Sequence, residues 1–194
     1  MNKAVLTVTL CVVTLALATP GALHAEKKKS SDELKIEAAR AEIDEIAEET
    51  LERLFAENKK ANELYEDAYG WAVFDNRKAS FGFSAGGGKG VAVRKKNGER
   101  TYMKMGTAGV GFGIGVNKYQ VVFLFQDKTT AINFVNKGWQ ADAGATAAAG
   151  KESLEGKTAF VNGLAIYQLT EKGLMLNVDL AGTKYWKNDD LNLN

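Results

Sequence analysis

Histidine, cysteine and proline are almost missing from this chain of 194 residues: there is one of each, and His24, Cys11 and Pro20 all fall within the first 25 positions. From Glu26 onward there is no imidazole, no thiol and no pyrrolidine ring. A Ser-His-Asp or Cys-His nucleophilic site needs an imidazole as its base, and an ordinary zinc site draws on Cys and His. Neither can be assembled after residue 25. Disulfides are excluded for the same reason, so a packed core has to carry the fold, and a single domain of this size can bury enough surface to do so.

The early residues have a layout of their own. Met1-Asn2-Lys3 is a short basic start, residues 4–18 are a mostly apolar run broken by threonines, and Pro20-Gly21-Ala22-Leu23-His24-Ala25 ends on a small residue before Glu26. These are the three parts of a secretory signal peptide. The apolar run is about 15 residues, short of the roughly 20 a spanning helix requires. The expectation is cleavage after Ala25, a polar spacer at 26–31, and one exported domain at 32–194, periplasmic or associated with the envelope. Cys11 lies inside the apolar run, which argues against a lipoprotein anchor.

A formal net charge of +1 conceals a strong asymmetry. Residues 32–69 hold 13 acidic and five basic side chains; residues 77–104 hold Arg77, Lys78, Lys89, Arg94, Lys95, Lys96, Arg100 and Lys104 against Glu99 alone. Adjacent blocks of opposite sign allow two outcomes. Either the acidic segment folds back on the basic one, or the basic face stays open to an anionic partner.

The acidic segment has helical periodicity: Ile36, Ile43, Ile46, Thr50 and Leu54 recur at spacings of three, four and seven, widened by Leu51 and Phe55. A helix capped by Asp32 or the serines before it is expected to run to about Asn58, followed by a short one over 59–68 with Leu64, Tyr65 and Ala68 inward. Its polar face is crowded with glutamates, whereas helices that lie on membranes favour Lys and Arg there, so the apolar stripe is assigned to the domain's own sheet. After Gly70 the period changes to two. Residues 71–74, 80–85, 90–95, 101–105, 108–116, 120–126, 158–169 and 174–185 read as strands, with Asn97-Gly98 as a tight turn and one short helix over 129–136. The fold expected is α+β: an antiparallel barrel-like or sandwich sheet of about eight strands with an N-terminal amphipathic helix packed on it.

Gly109, Gly111, Gly113 and Gly115 alternate with bulky residues, which predicts a sharply coiled strand with a helix lying on it, ahead of a ligand contact. Gly82, Gly86-Gly87-Gly88 and Gly90 surround Lys89, but the spacing of a phosphate-binding loop fails: Phe83 stands at its first glycine and Gly90 at its Ser/Thr. Residues 141–150 are almost wholly small and specify nothing by themselves.

Taken in order, the amphipathic helix, Ala72-Val73-Phe74, Lys78-Ala79-Ser80-Phe81-Gly82-Phe83, the Gly86 to Gly90 run, the Gly109 to Gly115 strand, Val121 to Phe125 with its short helix ending near Phe134, the small segment closing on Gly150, Ile166-Tyr167, Lys172-Gly173-Leu174 and Asp179-Leu180-Ala181-Gly182 resemble the SYLF domain family. The likeness spans about Asp32 to Asn188. It implies lipid binding, through phosphoinositides in eukaryotic relatives, some of which also bind actin filaments; bacterial relatives are mostly exported, and no catalytic residues are attributed to the family. Two departures stand out: Asp75 where relatives have proline after the Val-Phe pair, and Gly150-Lys151 where they have Gly-Pro. The leading helix is also acidic where some relatives use basic residues to touch membranes.

The function expected is therefore a non-catalytic envelope module that binds anionic lipid or a membrane surface. Arg77, Lys78, Lys89, Arg94, Lys95, Lys96, Arg100 and Lys104 would face headgroups, and Phe81, Phe83 and Trp139 would meet acyl chains. The alternative is a protein-interaction module with an envelope or actin-like partner and no lipid. Paired-carboxylate catalysis by Asp127, Asp142, Glu152, Glu155 or Asp179 ranks third, because these residues sit near turns. No cofactor or metal is expected, and a pI near 7.7 argues against nucleic acid.

Overall fold

The computed structural model describes residues 30–141, 160–175, 180 and 182–193. The leader, residues 26–29 of the polar spacer, the small-residue segment apart from Ala141, and Asp142, Glu152, Glu155 and Asp179 lie outside these residues.

The first helix, α1 (Ser31–Glu57), begins at a capping box: the Ser30 hydroxyl accepts from the Glu33 N–H while the Glu33 carboxylate accepts from the Ser30 N–H. Ile43, Ala47, Thr50, Leu51 and Leu54 form its buried stripe. Asn58, with extended backbone, ends α1 and caps α2 (Lys59–Asp67), its side chain accepting from the Ala61 N–H at 3.1 Å. Ala61 on this short helix and Ala68 just after it are buried, while Leu64 and Tyr65 are half-buried.

Where six short strands are expected between residues 71 and 126, the structure has two long ones. β1 (Gly70–Arg94) and β2 (Glu99–Phe125) pair antiparallel from Gly70 opposite Phe125 to Arg94 opposite Glu99. The expected turn closes the ribbon, with the Gly98 N–H donating to the Arg94 carbonyl at 2.9 Å and Gly98 at φ 67°. At the middle of the ribbon the register jumps: Phe81 faces Ile114, but Phe83 faces Val110. Gly82, at φ 71°, therefore stands opposite three residues, 111–113. Two extra residues add about 7 Å to β2, which is what the outer strand of a sharply bent ribbon needs.

Beyond this bend β1 runs back along itself. A methyl group on Gly86 would fall 2.5 Å from the Arg77 carbonyl oxygen, one on Gly88 2.6 Å from that of Asp75, and one on Gly70 2.5 Å from that of Val93. Lys95 N–H donates to the Tyr69 carbonyl at 3.2 Å, continuing the same juxtaposition. The glycines around Lys89 thus let two stretches of backbone approach each other. Counting each long strand as two halves, β1, β2, β3 (Trp139–Gln140), β4 (Leu164–Thr170), β5 (Gly173–Leu174) and β6 (Thr183–Lys187) supply the eight segments of a curled, barrel-like antiparallel sheet. The order is β3-β6-β2-β4-β5 with β1 on β2. The strand expected over 174–185 is replaced, among the described residues, by β5 and β6.

Alternation along the strands divides the side chains between two cores. Trp71, Val73, Val91, Val93, Tyr102, Val122 and Leu124 pack under α1. Phe74, Met103, Met105, Val121, Phe123 and Phe125 pack on the other face with Tyr185 and with Phe134 of α3 (Lys128–Lys137). No described helix is long and apolar enough to cross a membrane.

Candidate functional site

The eight basic residues marked by the sequence do not form one open patch: the acidic segment folds back on Lys89, Lys95 and Arg100, and Arg94 and Lys104 pair with acids elsewhere. Lys89 Nζ donates to Glu42 at 2.7 Å, and that hydrogen bond, then the lysine's charge, holds the Glu42 carboxyl below its ordinary pKa. Arg100 forks to Asp44 and Glu48, each at 3.2 Å. Tyr102, beneath it, donates its hydroxyl to Asp44 at 3.0 Å, and burial followed by that bond pushes its pKa up to about 12. Arg94 pairs with Glu99 across the hairpin, and Lys104 reaches Asp190 at 3.0 Å. Lys95 donates to the Tyr65 and Glu66 carbonyls in the last turn of α2, at 2.6 and 2.9 Å, and lies 4.4 Å from the Tyr65 ring centroid. There its charge complements the negative end of the helix dipole. Lys96 is exposed in the turn, and Lys78 is half-buried.

The three aromatic candidates separate as well. Trp139 is half-buried, its ring 5.3 Å from Phe123 and 5.8 Å from Tyr185, so it wedges the core beneath α3. Phe81 and Phe83 are 68% and 69% exposed. They flank the ribbon's bend, where Val110, Ile114 and Val116 are 76%, 83% and 71% exposed. These are five of the nine large apolar side chains exposed among the described residues, and clustering of that kind marks an interaction surface. Alternation from Trp71 and Val73 puts Phe81 on the face of the sheet that α1 covers, and its pairing with Ile114 puts that residue there too; Phe83 and Val110 follow from Val91 and Val93. On that face α1 reaches as far as Asp75 and Lys89. Past that point the apolar stripe continues, and no helix among the described residues lies over the alternating glycines, contrary to expectation.

Arg77 and Lys118, opposite each other in the register, lie on the same face just inside this patch. Arg77 is close enough to Glu42 to contribute to its lowered pKa, but neither cation makes a salt bridge or hydrogen bond among the described residues. Lys118 is the residue the sequence reading missed, because it stands alone in sequence and joins the basic group only through its pairing with Arg77. Next to the bend, a groove of about 790 Å³ is lined by Val110, Val116, Lys118, Lys172 and Met175, among others.

Asp127, a candidate acid, caps α3. It accepts from the Thr130 N–H at 2.9 Å, and that bond above all lowers its pKa. Its chemistry is that of a helix start.

Residues 106–194 match the family described as Ysc84, Las17-binding protein actin regulator. Over 153 residues, 79% of this chain, the sequence is 47% identical to beta cell expansion factor A of Aeromonas veronii, and it spans 59% of that protein's length. The matched region holds most of β2, including the outer strand of the bend, together with α3 and β3 to β6. Residues 106–194 therefore belong to the Ysc84, or SYLF domain, family, and the order of motifs that leads up to them follows the same pattern.

Proposed function

We propose that this protein is a lipid-binding module that docks on anionic membrane surfaces through the bend of its long β-ribbon. The observation that carries the reading is the uncovered face at that bend: Phe81, Phe83, Val110, Ile114 and Val116 exposed together, with Arg77 and Lys118 behind them. Apolar side chains entering the acyl boundary supply about 1.5–3 kcal/mol for each one fully buried. Each cation held near an anionic surface adds about 1 kcal/mol. Export to the envelope, proposed from the leader, would bring such a surface within reach.

Flotation with liposomes tests the reading. The wild-type protein is expected to rise with vesicles containing phosphatidylglycerol and far less with phosphatidylcholine alone; equal, negligible flotation in both would sink it. The family's description as a Las17-binding actin regulator supports a second reading, in which the same bend takes a protein. Recovery of one stoichiometric envelope protein that competes with Phe81→Ser, but no flotation, would favour that alternative.

A further inference from the structure

The groove beside the bend is distinct from the docking face in shape. Docking needs only a surface, whereas this is a concavity of about 790 Å³, within the range of sites that enclose small ligands. Its lining has two characters. Val110, Val116 and Met175 offer an apolar wall, and Lys78, Lys118 and Lys172 bring three cations to it, opposed by Glu171. Val110 and Val116 belong both to this wall and to the exposed patch. The groove is therefore continuous with the surface placed against the bilayer, and its mouth opens where an acyl chain would be found. Tight framing comes from the strands: Tyr119 pairs with Thr170 across the β2–β4 ladder. The turn that follows is held by the Thr170 hydroxyl, which donates to the Gly173 carbonyl and accepts from the Lys172 N–H, each at 3.2 Å. That fixes the backbone from which Lys172 projects.

We propose that this groove takes one single-chain anionic amphiphile, its chain along Val110, Val116 and Met175 and its carboxylate or phosphate head between Lys118 and Lys172. The inference rests on the docking reading for the route of entry, but the site itself is tested apart from membranes. The head chemistry is shared by a fatty acid and a lysophospholipid, so both are used as probes below their critical micelle concentrations: myristate and myristoyl lysophosphatidylglycerol. Isothermal titration and native mass spectrometry should give a one-to-one complex with at least one of them, with affinity falling at least tenfold when the chain is shortened to six carbons.

Two variants outside the docking face address the site. Met175→Trp should fill the groove and Lys172→Gln should remove a head contact, each weakening binding about tenfold while leaving flotation and thermal unfolding unchanged. Phe81→Ser with Phe83→Ser should do the reverse, abolishing flotation and retaining the one-to-one complex. Absence of any one-to-one complex in a protein that still floats would overturn the groove and leave docking standing. A complex in a protein that does not float would do the opposite. Binding of inorganic phosphate equal to that of the amphiphile, with no dependence on chain length, would also overturn the proposal.

Discussion

The two ends of the β1–β2 ribbon are built from the same two strands and have opposite surfaces. At the hairpin end, residues 94–100 carry a dense run of cations, and the fold engages most of them: Arg94 with Glu99, Lys95 with the end of α2, Arg100 with α1. At the bend, on the order of 40 Å of strand away, apolar residues that alternation assigns to a covered face are left 68–83% exposed. A run of like charge beside a helix of opposite sign is neutralised within the chain. An apolar stripe that outlasts the helix covering it has no such internal partner among the described residues. The end that looks functional by charge is thus the satisfied one, and the end that looks structural by its glycines is the open one.

The bend exists because β1 lies against itself, so the deepest way to break the contrast is to prevent that approach. A side chain at Gly90 would meet the Val73 carbonyl and the Phe74 ring, whereas at Gly87 its first neighbour, the Met105 carbonyl oxygen, is 3.6 Å away. Gly90→Val is expected to lose at least about 3 kcal/mol by overpacking, and Gly87→Ala to stay within about 1 kcal/mol; urea unfolding separates the two. Equal effects would mean that the close approach is not a constraint.

Next in size is the open end itself. Replacing Phe81 and Phe83 together by serine should lower partition onto phosphatidylglycerol vesicles roughly a hundredfold, about 3 kcal/mol at the lower bound for two aromatic side chains. Thermal stability should hardly change, since surface substitutions typically stay within about 0.5 kcal/mol. The control is Phe123→Ala, at a fully buried position, where a loss of about 3–5 kcal/mol in stability is expected instead.

A smaller effect distinguishes the satisfied end. Glu48→Lys removes one of the two acids on Arg100 and should reduce stability by no more than about 1 kcal/mol, as exposed pairs do. Two units of added positive charge should raise binding to anionic vesicles up to about thirtyfold if the hairpin can reach them. Unchanged binding would confine docking to the bend.

The smallest effect is on pH. Glu42 has a lowered pKa in the folded protein, so its pairing with Lys89 stabilises the fold fully above the ordinary value of 4.5. That contribution fades as pH falls from there through the lowered value. Glu42→Gln should flatten the acid limb of the stability profile in this window, and an identical limb in the variant would show that the pair does not hold α1.

Much of the architecture was legible in the chain because it depends on local periodicity. Ile43, Ala47, Leu51 and Leu54 repeat with the helical period, Asn97-Gly98 marks its own turn, and Asp127 stands where α3 begins. Strand boundaries were less legible. Asp75 to Ala79 and Gly86 to Lys89 look like breaks, yet the backbone pairs straight through them, because glycine and polar residues there serve a close approach between two halves of one strand. At the site, Phe81 and Phe83 were visible as aromatics, whereas Lys118 was not, since only cross-strand register sets it opposite Arg77.

The amino-acid order alone determined that the chain after residue 25 lacks imidazole and thiol chemistry, that an acidic amphipathic helix precedes a glycine-rich antiparallel sheet, and that the parts follow the SYLF pattern. Those properties follow from composition and from repeats that span a few residues. Tertiary structure decided which charges are spent and which apolar residues are left over, because Glu42 lies 47 positions from Lys89 and Phe81 lies 33 from its partner Ile114. Charge neutralisation and burial depend on distances in space, and at such separations only the folded chain defines them.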